Sequence, residues 1–230
     1  ASGGGNSTAM ASARLSADAT RLDDLKVIFS QSPKVSSRSH FGCRIVQGTD
    51  SSLFLTLGDR YSRMNDAQTL DNHHGKVVRV KATGGAHPDN PFVGRPGALP
   101  EIWSYGHRNV QGAALAPDGR LWTSEHGPQG GDEINISRAG QNYGWPNVSY
   151  GCDYGASYPG TDNTSCRIGG NGGGVCAVVD KATGINMPSK PVAAERIGRR
   201  RLFFFIGGTR ARLLMAILAP LFLCAQTKRR

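Results

Sequence analysis

Short apolar runs separated by polar turns dominate the first 150 residues. Residues 25–29 form one such run, followed by a Ser/Pro-rich connection. Residues 44–46 and 53–57 flank Gly48-Thr49-Asp50-Ser51-Ser52, a pattern that predicts a hairpin. KVVRVK at 76–81 alternates in part, as a strand exposed on one face does. Residues 83–100 are rich in Gly and Pro and predict an ordered loop. Residues 101–105 read as a further strand, and 113–116 with 121–124 as a second hairpin around Pro117-Asp118-Gly119. From about residue 154 patterning of either period is lost.

The two hairpins resemble one another. Asp50-Ser51-Ser52-Leu53-Phe54-Leu55-Thr56 aligns with Asp118-Gly119-Arg120-Leu121-Trp122-Thr123-Ser124 at an offset of 68, and each follows a histidine, His40 or His107. Repeated sheet units of this kind suggest a β-propeller. Two unrelated hairpins in a sandwich fit the repeat as well.

Composition agrees with an all-β reading. The 230 residues include 31 glycines and 12 prolines with 19% charge, which excludes a coiled coil or an extended helical bundle. The net charge of +10 is unevenly placed: residues 1–153 hold 15 Lys+Arg against 14 Asp+Glu, and 154–230 hold 12 against 3. Those late basic residues fall on no recognition element, so no nucleic-acid partner is expected. The apolar run 213–225, flanked by Arg210 and Arg212 and interrupted by Pro220, is 13 residues long. It falls short of the roughly 20 a membrane-crossing helix needs. Five scattered cysteines without a CxxC pair read as free thiols.

Three segments carry candidate chemistry. Ser39-His40-Phe41-Gly42 places an imidazole before a strand, suited to removing a hydroxyl proton or to capping a turn. Tyr105-Gly106-His107-Arg108-Asn109-Val110-Gln111-Gly112 combines a guanidinium with amides between glycines, which suits an oxygen-rich planar ligand or a polar turn. Residues 124–135 (SEHGPQGGDEIN) offer hard oxygen donors of the kind Ca²⁺ prefers, without EF-hand spacing. His73-His74 shows none of the short spacings typical of zinc.

Taken in order, HFGCRIV (40–46), LGDR (57–60), HHGKVVRV (73–80), DNPFVGRPGALPEIWSYGHRNVQG (89–112), EHGPQGGDEIN (125–135) and NYGWPNVSYGCDYG (142–155) resemble the glucose/sorbosone dehydrogenases, soluble quinoproteins that use pyrroloquinoline quinone (PQQ). The resemblance implies a six-bladed β-propeller, of which residues 1–155 make about three blades. It implies oxidation of an aldose at its anomeric carbon, with hydride passing to PQQ. His40 matches the family's general base. Arg108 and Asn109 match residues beside the quinone oxygens, and Gln111 lies in the same motif. Gly127 and Pro128 match the carbonyl ligands of an active-site Ca²⁺. Glu133, Tyr143, Ser149 and Asp153 match a second Ca²⁺ site. Periplasmic or secreted placement, an electron acceptor of unstated kind and a possible homodimer rest on the same resemblance.

The chain also departs from the family. Propeller sequence expected before His40 is short, and the likeness stops near residue 155. Lys and Arg residues that clamp the PQQ carboxylates find no match in 156–230. That segment, basic and rich in Gly and Arg, reads as an unmatched C-terminal tail, disordered or translated out of frame. A fragment without activity, or a non-catalytic propeller that binds sugar or protein, are the alternatives.

Overall fold

The computed structural model describes residues 4–149, 151, 154, 177–179 and 221–226. They form three β-sheets with a single 3₁₀ turn, Met64–Gln68. The first sheet contains β1 (Thr8–Leu15) and β2 (Leu22–Ser30). The second contains β3 (Gly42–Gln47), β4 (Leu53–Leu57), β5 (Lys76–Val80) and β6 (Ile102–Tyr105). The third contains β7 (Val110–Leu115), β8 (Leu121–Glu125) and β9 (Glu133–Ser137). Two later strands join them: β10 (Ala177–Val179) runs parallel to β9, and β11 (Leu221–Gln226) pairs antiparallel with β1. All other pairings are antiparallel between neighbours in the chain.

Both expected hairpins are present, β3–β4 and β7–β8, at equivalent places in successive sheets. Strand β4 shows why the sheets stack. Successive side chains of a strand point to opposite faces. Leu53, Leu55 and Leu57 pack with Met10, Ile28 and Phe29 of the first sheet. Phe54 faces the other way, onto Leu121 of the third. Sheets packed face to face in chain order are propeller blades, and the chain holds part of that ring.

The 76–81 segment departs from expectation. It is not exposed on one face: β5 lies between β4 and β6, Val78 and Val80 join the first core, and Val77 joins the second. Even Lys76 is fully buried. Its Nζ donates to the carbonyls of Asp66 (2.8 Å), Ala67 (3.3 Å) and His74 (2.6 Å), fastening the 3₁₀ turn to the sheet. Alternation was misleading because the polar members of the strand are themselves held inside.

Burial pushes the Lys76 ammonium down to about 7, against the opposing pull of the Asp66 and Asp71 carboxylates. The folded chain therefore binds fewer protons than the unfolded chain between about pH 7 and the ordinary lysine range. Stability then rises with pH across that interval. We expect the urea midpoint to climb from pH 7 to pH 10, and Lys76→Met to flatten that climb. An unchanged climb in the variant would assign it to other groups.

The long 83–100 loop is ordered, as its composition predicts. Buried Asn90 ties it down by donating to the carbonyls of Arg79 (2.7 Å) and Pro100 (2.8 Å). The expectations for 156–230 fall mostly outside the described residues. Within the apolar run 213–225, the described residues from 221 onward are strand. Among the described residues no helix is long and apolar enough to cross a membrane.

Candidate functional site

His40 sits in the turn that enters β3, with a left-handed φ of 51°. Its Nδ1 lies 2.6 Å from Asp59 Oδ1, just beyond the end of β4. Asp59 is 1% exposed, and both of its oxygens are otherwise engaged. Oδ1 accepts from the Tyr61 backbone N–H (2.8 Å), and Oδ2 from the Trp145 indole (2.8 Å). Three groups thus converge as donors on one carboxylate, which places the His40 proton on Nδ1. Nε2 is left as a lone-pair acceptor with no partner among the described residues. The Tyr61 ring stands edge-on, 5.4 Å from the imidazole.

The end of β4 meets the segment before β7. Asp59 N–H donates to Arg108 O (2.8 Å), and Gly58 bridges to Asn109. The approach at Gly58 is close enough to require glycine: a Cβ there would lie 2.1 Å from His40 O and 3.0 Å from Asn109 Oδ1. Asn109 Oδ1 accepts from Gly42 N–H (3.1 Å), and its amide N–H₂ has no partner among the described residues. His40, Arg108 and Asn109 are therefore brought to one seam between two sheets.

Arg108 is 4% exposed. Its Nη1 donates to His126 O (3.0 Å) and its Nη2 to Tyr154 Oη (3.0 Å). Its charge lies 5.4 Å from the Trp145 ring centre and 5.7 Å from that of Tyr154. These guanidinium partners are neutral oxygens, while the Arg108 backbone N–H holds the Glu125 carboxylate. Gln111 is exposed on β7, and its Oε1 holds His126 Nε2 at 3.2 Å.

Beyond β8 the chain gathers oxygens. Glu125 accepts from His107 Nδ1 (2.9 Å), Arg108 N–H (2.8 Å) and Asn135 Nδ2 (2.8 Å). Asn135 Nδ2 also reaches Glu133 Oε2 (3.1 Å), while the buried Asn135 Oδ1 has no partner among the described residues. Arg108, Glu125, Gly127, Glu133, Tyr143 and Ser149 are among the residues around a cavity of about 10 Å³. That is about the size of one water or one ion. Gly127 N–H is fixed by Asp132 Oδ1 (2.9 Å). A Cβ on Gly127 would lie 2.1 Å from Gly130 O, so carbonyl oxygens crowd this loop.

Residues 1–168 match the family model described as Glucose / Sorbosone dehydrogenase. The chain belongs to this family. It is 47% identical over 148 residues to the aldose sugar dehydrogenase YliI of Escherichia coli K12, covering 64% of this chain and 40% of that protein. A crystal structure of a glucose dehydrogenase superposes with a TM-score of 0.65 at 49% identity, over 67% of this chain and 44% of that one. The PQQ-bound aldose sugar dehydrogenase of Streptomyces coelicolor gives 0.50 at 36%, over 56% and 36%. The chain spans about 40% of the length of the curated relative YliI.

Against the family expectation, His40, Arg108, Asn109 and Gly127 cluster, with Pro128 beside Gly127 in the same loop. Glu133 and Ser149 share the small cavity. Tyr143 lines it too, but its hydroxyl is turned away, accepting from Arg138 N–H (2.9 Å) and donating to Ile136 O. Any oxygen it gives a cation is its carbonyl. Asp153 lies outside the described residues. Among the described residues no three His, Cys, Asp or Glu side chains surround a common point.

Two contributors carry no assigned role in the sequence: Asp59, which stands within LGDR, and Trp145, which has no chemical signature of its own. A further expectation is overturned: Cys43 is disulfide-bonded, not a free thiol. Scattered spacing hid the pairing, because distance along the chain says nothing of distance in a folded sheet.

Proposed function

We propose that the chain carries the proton-accepting and anion-stabilising side of a PQQ-dependent aldose dehydrogenase. One observation carries this reading: the nearly buried Arg108 guanidinium, hydrogen-bonded to neutral oxygens among the described residues, stands beside the Asn109 amide and across a shared seam from a tautomer-fixed His40. A buried guanidinium in a site favours an anionic ligand.

The donor set fits PQQ, a planar, oxygen-rich anion. Arg108 and Asn109 would hold its quinone oxygens, with Gln111 at the margin. The buried Glu125 and Glu133 carboxylates with Ser149 around one ion-sized cavity fit a hard cation. Glu133 and Ser149, with the Tyr143 carbonyl and Asp153, would hold one Ca²⁺, and the Gly127 and Pro128 carbonyls another. PQQ, when bound, supplies the two-electron acceptor that takes the C1 hydrogen of the sugar with its electron pair. His40 Nε2 takes the C1 hydroxyl proton, and the aldose leaves as its lactone. Asp59 keeps the base in the right tautomer and steadies the imidazolium that forms. Arg108 and Asn109 meet the negative charge that develops opposite. The Cys43 disulfide supports an oxidising, extracytoplasmic placement.

PQQ titration of the Ca²⁺-loaded chain tests the proposal. Arg108→Ala is expected to weaken PQQ binding by about 10- to 100-fold, since charge-assisted hydrogen bonds contribute about 1.5–3 kcal/mol. Stripping Ca²⁺ with EGTA should weaken it as well. Equal affinity in wild type and variant would overturn the assignment of Arg108. Sugar binding without any PQQ binding would favour a non-catalytic propeller.

A further inference from the structure

Arg60 heads the fully buried side chains of the described residues by volume, yet no chemistry of the site uses it. Two of its nitrogens grip the turn that carries His40. Nε donates to Ser39 O (3.1 Å), and Nη2 to Ser37 O (2.6 Å) and Asn6 Oδ1 (2.5 Å). The guanidinium carbon stands 3.6 Å from the centre of the Phe41 ring. Its grips thus fall at 37, 39 and 41, on both sides of residue 40. Asp59, the residue before it, takes the imidazole itself.

The backbone here is unusual. His40, Arg60 and Tyr61 all have left-handed φ, at 51°, 59° and 63°. Non-glycine residues persist in that region only where the surroundings over-determine them. Arg60 is also a poor choice as filler. Its Nη1 is buried without a partner, a penalty that an apolar side chain of similar volume would avoid. Burial draws the group down to about 10, so it remains cationic at neutral pH and keeps its full set of donors.

We propose that Arg60 is the positioning residue of His40, holding residues 37–41 so that one ring nitrogen meets Asp59 and the other stays open. Consecutive residues then divide the task, Asp59 orienting the ring and Arg60 the backbone beneath it. The link to catalysis rests on the reading of His40 as the base. The positional claim does not.

Nitrogen-15 spectra of the imidazoles at pH 8.5, with amide exchange, test it in the full chain. Wild type should show His40 protonated on Nδ1. In Arg60→Met, His40 is expected to become a mixture of tautomers, with amides 38–41 exchanging at least about 10-fold faster. The His107 ring signals, from a histidine held by Glu125 and Ser104 rather than by Asp59, report that the fold is intact and should not move. Arg60→Lys, with one donor group for three acceptors, should fall between. A folded Arg60→Met with wild-type His40 tautomer and exchange overturns the proposal. If that variant does not fold, Phe41→Leu, which removes the ring under the guanidinium, is read by the same signals. In PQQ-loaded chain that turns over, Arg60→Met should lower kcat about 100-fold at unchanged KM. An inactive wild type would sink the catalytic reading alone, because the tautomer measurement needs no turnover.

Discussion

Under the proposed function, Asp59→Asn should lower PQQ-dependent aldose oxidation by about 10⁴-fold, the scale seen when a base histidine is given the wrong tautomer. The reason lies in three donors meeting one carboxylate. Tyr61 N–H, Trp145 Nε1–H and His40 Nδ1–H all point at Asp59 oxygens. An asparagine has only one oxygen and must turn its N–H₂ toward some of them. The best compromise lets His40 flip its proton to Nε2, where the substrate hydroxyl should be received. Buried mismatched donors also cost about 1–3 kcal/mol of stability. Dye-linked turnover measured beside a urea melt separates the two effects. Turnover within about 10-fold of wild type would mean that His40 is not the base.

Gly58→Ala is expected to do comparable damage without touching any reacting group. Its new methyl would fall 2.1 Å from His40 O and 2.5 Å from His40 C, contacts that real Cβ atoms essentially never make. Both opposing atoms are backbone, so no side chain can swing aside. Either the His40 turn or the Asn109 side moves, and the seam between base and anion site opens. A displacement of about 1 Å in such a site lowers turnover about 100-fold. Overpacking should add a stability loss of about 1–3 kcal/mol. PQQ affinity and His40 tautomer, followed together, will show which side gives way. If both stay at wild-type values, the close approach carries no functional weight.

The fold was legible where the sequence repeats itself. The two hairpins gave away two sheets, because turn residues and alternation are local signals. Strand β1 was not seen, since TAMASARL is built of small residues that pack against β2 without an apolar rhythm. KVVRVK was seen as a strand but placed wrongly, because a buried lysine looks exposed until its three carbonyl partners are known. At the site, the residue types around His40, Arg108 and Asn109 suggest a base and an anion cradle, and the family motifs single those readings out from a capped or polar turn. Asp59 and Trp145 are 86 residues apart in the chain yet share a hydrogen bond. No local pattern announces such a pair. The Cys43 disulfide was hidden for the same reason.

The two repeat units also carry two histidines at matching places, and the fold has divided their labour. His107 is fully buried, with Nδ1 against Glu125 and Nε2 against the Ser104 hydroxyl (2.8 Å). Its ring stacks on Tyr143 at 4.6 Å. Both nitrogens are consumed, so it is a rivet. His40 keeps one nitrogen unspent, so it is a tool. Equivalent places in two blades thus hold the same side chain in two conditions, one spent on the structure and one with a nitrogen still available.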